Sequence, residues 1–331
     1  MPMRKLRLIQ VQPATDYYAW QVEVNLNSTL ELGYNGNYID VIGAFNKESP
    51  IADSWLKLQQ KFPYVRFFFY QDDMEVRNYQ PAVQANVLKK HFAMHPYLSE
   101  EAIFFHDCDF VFTKFFDFTP FLADDKWYFS NTISYVGHKY IDSKGTKTVK
   151  EIVSVDGEEQ EVERTLLDKM CQVVGICGCS VRGRNDKSGG AQKLMKNVSA
   201  EYWVEVETDA ISLYNWLLEE KDKFSVTGKN DIQVWTASMW SELWNAWKRG
   251  HEVEVPEEFN FAFATDHVDK WESLSFFHNA GVMNDKQELF FKAAYMNKYP
   301  YNTDVEVNPE KCSKRYYDLI QEVGKKSVLI S

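Results

Sequence analysis

The sequence predicts an α/β protein built on a mainly parallel central sheet flanked by helices. Short apolar, strand-like runs alternate with helix-like segments through the first 115 residues, the pattern that βαβ units impose. One of those runs is dense in Phe, as expected of a strand covered on both faces. The chain has 331 residues and 45% hydrophobic content, enough to bury a large core.

The elements follow in order. Residues 6–11 form a short apolar strand. Residues 17–32 form a helix, with Val22, Leu26 and Leu30 at helical spacing. Residues 39–45 are a second strand, and residues 50–62 a helix with Ile51, Trp55 and Leu58 on one side. The Phe-rich third strand spans 65–70. The next helix, 81–95, opens at Pro81, where a missing N–H costs nothing. The fourth strand, 102–105, ends at His106-Asp107-Cys108-Asp109.

Beyond residue 115 the texture changes. Two alternating runs flank Asp156-Gly157 and read as a β-hairpin within a polar insertion at 147–164. Ser188-Gly189-Gly190-Ala191-Gln192 reads as a turn entering a helical run at 193–197. Residues 199–219 and 231–249 are helical by periodicity, and 275–295 hold a strand and a His-bearing turn. No repeat, low-complexity segment or long linker interrupts the chain. A single domain over 1–331 is expected, with a first half to residue 115 and a decorated second half from 116.

The net charge of −11 and pI of about 5.2 disfavour a polymeric nucleic-acid substrate without excluding it, because basic residues occur only in short clusters such as Lys89-Lys90. Five cysteines form no paired framework, and Cys177-Gly178-Cys179 lacks the spacing of a zinc knuckle, so all five are expected as reduced thiols in a cytoplasmic protein. The N-terminus has no long apolar stretch, and nowhere do 18 apolar residues run together, so no export signal or membrane anchor is expected. Aromatic residues reach 15%. Most belong in a core, while some faces suit stacking on nucleobases and sugars.

The strongest chemical signal is Asp107-Cys108-Asp109. In an extended segment the two carboxylates point the same way, two residues apart. Paired acidic oxygens at the carboxyl end of a parallel strand suit a hard divalent cation such as Mn²⁺ or Mg²⁺, at the edge where open α/β sheets bind ligands. A D-x-D triplet alone is commonly a solvated turn. Flanked by Phe104, Phe105, Phe110 and Phe112, these carboxylates need a compensating ligand.

Strand–helix alternation leading to Phe105-His106-Asp107-Cys108-Asp109 resembles the nucleotide-sugar domain of GT-A glycosyltransferases, a Rossmann-like fold. The chain also resembles a group of poorly characterised glycosyltransferase-like proteins from phage, large-virus and bacterial genomes, through residues 105–114, Gly189-Gly190-Ala191-Gln192 and His278-Asn279-Ala280-Gly281-Val282. The resemblance implies a metal-dependent transfer of sugar from a nucleoside-diphosphate sugar, a UDP-sugar favoured, to an unknown acceptor. The cytoplasm of a virus-infected host cell is then among the expected locations. The first half would bind the donor and the second half the acceptor.

The resemblance implies His278 as a third metal ligand, in a turn like the H-x-x-G of glycogenin-like retaining enzymes, which gives retaining chemistry a slight lean. The family's following Lys-Pro-Trp is absent here, leaving the phosphate-gripping lysine open between Lys286 and Lys292. Gln192 is implied as a sugar-contacting residue. Asp231 is either a helix cap or an acidic residue facing the acceptor, and the roles are compatible. On the donor side, Gln10 and Gln12 end the first strand where the base and ribose would sit, Asp72 and Asp73 end the third, and Gln84, Lys89 or Lys90 approaches the diphosphate. Trp240, Trp244 and Trp247 form one helix face, read as core. Thr265-Asp266-His267 is a candidate lining of the acceptor pocket. Two alternatives stand beside this reading. A sugar nucleotidyltransferase is disfavoured by the lack of glycine in 9–16, and a non-catalytic carbohydrate-binding or virion-associated protein is disfavoured by the intact Asp107, Asp109 and His278.

Overall fold

The computed structural model describes residues 4–74, 77–155, 157–282, 284 and 288–330. Its main sheet has seven strands, taken from both halves of the chain: β1 (Leu6–Pro13), β2 (Ile39–Phe45), β3 (Arg66–Gln71), β4 (Ala102–Phe105), β6 (Trp127–Asn131), β9 (Gly189–Lys196) and β10 (Val253–Glu254). A smaller sheet joins β5 (Phe110–Phe112), β11 (Phe261–Phe263) and β12 (Phe276–His278), and β7 (Val149–Val155) pairs with β8 (Glu158–Arg164) as the expected hairpin. Seven helices of nine residues or more are described: α1 (Asp16–Glu31), α2 (Asp53–Lys61), α3 (Ala82–Met94), α4 (Leu166–Val174), α5 (Ala200–Glu220), α6 (Ala237–Lys248) and α7 (Cys312–Gly324).

The main sheet runs in the order β10-β6-β9-β4-β1-β2-β3. Every pairing is parallel except the two made by β9. The chain builds outward from β1 to β3 and then returns to place β4 on the other side of β1. That reversal opens a crevice at the carboxyl ends of β1 and β4. Strands β1, β2 and β4 are buried on both faces, which explains their near-continuous apolar runs. The Phe-rich β3 is instead an edge strand, and Phe67, Phe68 and Phe69 are only half-buried.

Two cores flank the sheet. Ile9, Val11 and Ile103 face α3, α5 and α6, together with Trp203, Trp240 and Trp244. Leu8, Val41 and Phe104 face α1, α2, the small sheet and α7. Val22 and Leu26 of α1 are fully buried there, as their spacing predicts.

Three boundaries differ from expectation. Helix α2 begins at Asp53, because Ala52 is extended. Helix α6 begins at Ala237, preceded by a 3-10 turn at Val234–Thr236, rather than at Asp231. Asn230 Oδ1 accepts the Ile232 N–H and Tyr140 Oη accepts the Gln233 N–H, so side chains capture the donors that a helix would use. The largest change is residues 189–197, expected as turn and helix, of which Gly189–Lys196 form β9. A Cβ at Gly189 would lie 2.4 Å from Phe129 Cβ, and one at Gly190 would lie 2.3 Å from Met239 Cε. With Ala191 at φ 55° and a register shift opposite Phe129 and Ser130, the glycines mark a bulge in a central strand.

At the opposite end of the sheet, Asp40 is fully buried. It binds Arg7 at 3.1 Å, Arg66 at 2.6 Å and His91 at 3.2 Å. Burial alone would raise its pKa, but His91, Arg66 and Arg7 bring it below the ordinary carboxylate value. Burial lowers the pKa of His91. Both depressed values act in one direction. His91 withdraws stability as pH falls below about 6.5, and Asp40 withdraws more as pH falls below about 4 toward its own folded value. Asp40→Asn leaves two guanidinium groups without their shared anion, so chemical denaturation at pH 7 should show a loss of about 3 kcal/mol and a flatter acid limb.

Candidate active site

Asp107 and Asp109 lie in the turn between β4 and β5, at the mouth of the crevice. Strand β5 pairs antiparallel with β12 so that Phe110 faces His278, and the Asn279 N–H donates to the Asp109 carbonyl at 3.0 Å. This register carries His278 across 169 residues of chain to the carboxylates. Its Nε2 stands 3.2 Å from Asp109 Oδ1 and 3.6 Å from Asp107 Oδ2. One ligand atom from each of the three residues lies within 4.8 Å of the others, the one such cluster among the described residues. Two carboxylates and an imidazole are a donor set that fits Mn²⁺, and the carboxylates alone would also serve Mg²⁺.

Asp109 is buried and Asp107 is partly exposed. Burial raises the pKa of Asp109, but Lys292 and His278 outweigh it and hold the carboxylate well below its ordinary range. Lys292 Nζ forms a short ion pair with Asp109 Oδ2. Burial lowers the Lys292 pKa, and the Asp109 charge reverses this and raises it. His278 follows the same pattern: burial depresses it, and the two carboxylates raise it on balance.

Asp107 and His278 are each held from behind. Gln84 Nε2 donates to Asp107 Oδ1 at 3.0 Å and to the Val11 carbonyl at 3.2 Å. Gln192 Nε2 lies 3.1 Å from His278 Nδ1, and its Oε1 accepts from the Ser130 hydroxyl at 2.9 Å. Gln192 is fully buried between the imidazole and Ser130, so it fixes the ring from the far side instead of reaching into open space. A metal on Nε2 would leave the ring proton on Nδ1, which the amide oxygen accepts once the amide is flipped to give its nitrogen to Ser130. Gln192→Ala should weaken Mn²⁺ affinity about 10- to 100-fold by isothermal calorimetry while leaving the fold intact.

A cavity of about 430 Å³ opens beside this cluster. Gln12, Tyr17, Tyr18 and Lys292 are among its lining residues, as are Tyr135, Lys193, Trp235 and Glu242. Gln12 is buried, and among the described residues neither its amide nitrogen nor its amide oxygen has a partner. An amide left unpaired at a cavity wall costs free energy until a ligand supplies the complementary edge. Lys193 and Glu242 form a short, almost fully buried ion pair, and burial raises the Glu242 pKa.

Of the residues expected at the site, Asp107, Asp109, His278, Gln12 and Gln84 come together at the cavity, with Gln192 immediately behind. Gln10 does not line it; its Nε2 donates to Asn25 within the core. Asp231 is exposed and pairs with Lys144 at 2.9 Å, away from the cavity. Lys286 lies outside the described residues. Asp72 binds Arg77, Asp73 binds Lys90, and Lys89 binds Glu207, none of them at the cavity. Asp266 pairs with Lys270, and Thr265, Asp266 and His267 do not line the cavity. Trp240, Trp244 and Trp247 are core residues, as their stripe predicts.

Lys193 and Glu242 are not flagged by sequence reasoning. Their significance is the contact between them, and a lysine on a strand and a glutamate on a helix 49 residues later carry no local signature. The five free thiols are a correction: Cys177 and Cys179 form a disulfide across Gly178, while Cys108, Cys171 and Cys312 are free and buried. The turn into the short helix Gly178–Arg182 brings the two Cα atoms to 5.3 Å, within disulfide reach. Among the described residues no helix is long and apolar enough to cross a membrane.

No family model matches the chain, and none of the curated proteins matches it. Among solved structures, it is similar to a glycosyltransferase involved in glycosylation of the major capsid of PBCV-1, with 8% identity and a TM-score of 0.39 over 88% of this chain and 98% of that one. An active-site mutant of LgtC aligns with 12% identity and a TM-score of 0.43, covering 96% of this chain and 95% of that one. Mouse xyloside xylosyltransferase 1 in its apo form aligns with 12% identity and a TM-score of 0.37, covering 85% and 99%. Likenesses at these identities and TM-scores carry no activity from one chain to another, and the chemistry of this chain rests on its own side chains.

Proposed function

We propose that the chain is a metal-dependent glycosyltransferase that uses a nucleoside-diphosphate sugar, with a UDP-sugar favoured. The observation that carries the proposal is the convergence of Asp107, Asp109 and His278 beside a cavity at the sheet's reversal point. In this reading Asp107, Asp109 and His278 hold Mn²⁺ or Mg²⁺. The bound cation supplies the positive charge that stabilises the leaving diphosphate.

The other residues act around that centre. Gln84 fixes Asp107, and Gln192 fixes His278. Lys292 offers a second cation to the diphosphate. Gln12 lines the cavity, and its buried amide, unpaired among the described residues, would offer a donor and an acceptor side by side to the N3–H and carbonyl edge of uracil once turned toward the cavity; Tyr17 and Tyr18 line the same cavity. Retention of anomeric configuration is the proposed outcome, on the likeness of the His278 turn to that of retaining glycogenin-like enzymes. NMR of the product's anomeric proton tests it.

Thermal unfolding with a panel of UDP- and GDP-sugars, with and without Mn²⁺, tests the proposal. A Mn²⁺-dependent rise in Tm for a UDP-sugar, absent with its GDP counterpart, supports it. No shift with any donor overturns it and favours a non-catalytic carbohydrate-binding protein, whereas pyrophosphate release from a nucleoside triphosphate and a sugar phosphate identifies a nucleotidyltransferase.

A further inference from the structure

The wall of the cavity that the donor reading leaves unused has its own pattern. Trp235, Ser238, Met239 and Glu242 all line the cavity, and they recur at i, i+3, i+4 and i+7 along the 3-10 turn and α6. This face is rotated away from the Trp240, Trp244 and Trp247 stripe, whose indoles are buried in the core. Trp235 is 54% exposed. An indole held in water at a cavity mouth is a large apolar face without a partner.

The backbone beneath that indole is fixed. Tyr79, only 2% exposed, donates its hydroxyl hydrogen to the Trp235 carbonyl at 2.6 Å and accepts the Ser238 N–H at 2.8 Å. Its ring stacks on Tyr214 with centroids 4.3 Å apart. Deeper along the same face, Glu242 meets Lys193, whose ammonium also lies 4.8 Å over the Phe105 ring. The wall therefore offers a flat apolar platform at its mouth and a charge-balanced, hydrogen-bonding pair at its base.

We propose that this face is the acceptor subsite and that the acceptor is the hydroxyl of a sugar ring, stacked on Trp235 and hydrogen-bonded to the Lys193–Glu242 pair. A pyranose fits this chemistry because one face presents C–H groups to an indole while its rim presents hydroxyls that both donate and accept. The charge-balanced pair gives no net attraction for an anionic acceptor such as a lipid phosphate or nucleic acid. The assignment rests on the glycosyltransferase reading for its role as acceptor, but the binding it predicts is measured separately.

The test is saturation-transfer NMR and calorimetry with methyl glycosides of glucose, galactose and N-acetylglucosamine and with lactose, on the full chain, with and without UDP and Mn²⁺. At least one glycoside should bind, and Trp235→Ala should weaken it about tenfold, with Trp235→Phe recovering part of the loss. UDP affinity should be unchanged in both variants. Glu242→Gln should also weaken the glycoside, and the exposed Trp235 keeps the test decisive if that buried variant misfolds. Binding of no glycoside, or equal binding by Trp235→Ala, overturns the assignment, as does selective binding of a serine peptide or of phosphate-bearing vesicles in place of a sugar. Failure of UDP to bind, with glycoside binding still dependent on Trp235, overturns the donor reading and leaves the sugar subsite standing.

Discussion

Asp109→Asn should abolish high-affinity Mn²⁺ binding and lower kcat/KM for sugar transfer about a thousandfold. The magnitude follows from where the residue stands. Asp109 is the buried member of the D-x-D pair, and it touches both His278 and Lys292. Asparagine keeps the shape but removes the negative charge against which Lys292 and His278 both pack. The variant should also be less stable than the parent by about 1 kcal/mol, because the partly exposed Lys292 loses its anionic partner. The Asp107→Asn variant provides the contrast. Asp107 is more exposed and is also held by neutral Gln84, so its stability loss should be smaller while its metal affinity still falls. Calorimetric Mn²⁺ titration and denaturant unfolding on the two variants read both effects.

Lys292→Met separates two roles of one lysine. Without ligands, Lys292 sits on Asp109 and competes with a metal for that carboxylate. Removing the ammonium should therefore tighten Mn²⁺ binding in the absence of nucleotide, by about tenfold. On the proposed reading, a bound metal would free the ammonium for the donor diphosphate. UDP-sugar affinity in Lys292→Met should then fall about tenfold or more, with a larger fall in kcat/KM than in binding if the lysine favours the leaving group's growing charge. Opposite changes in metal and nucleotide affinity are the signature. A parallel loss of both would mean that Lys292 only stabilises the turn.

The first half of the fold is legible in the sequence because parallel strands buried on both faces are written as apolar runs, and β1, β2 and β4 match those runs closely. Strand β9 is not legible. Its two glycines look like a turn, and its role depends on the close approach of Phe129 and Met239 from elsewhere in the chain. The acidic cluster is readable for a different reason. Carboxylates after an apolar strand are costly without a ligand, and His278 follows another apolar strand that pairs with β5. Asp231 shows the limit of that approach: an acidic residue before a Trp-rich helix suggests an acceptor-facing group, but side chains divert the backbone at 230–233 and the carboxylate ends in solvent on Lys144. The acidic residue that α6 does turn to the cavity is Glu242, one helix face away from the tryptophans that dominate the pattern.

The most direct measurement is anomalous diffraction at the manganese edge from crystals soaked in Mn²⁺ and UDP. One peak bounded by Asp107, Asp109 and His278, with the Lys292 ammonium moved off Asp109 and the uracil edge on Gln12, is the predicted outcome. A manganese peak away from these three side chains, or a nucleotide bound outside the cavity that they border, would contradict it.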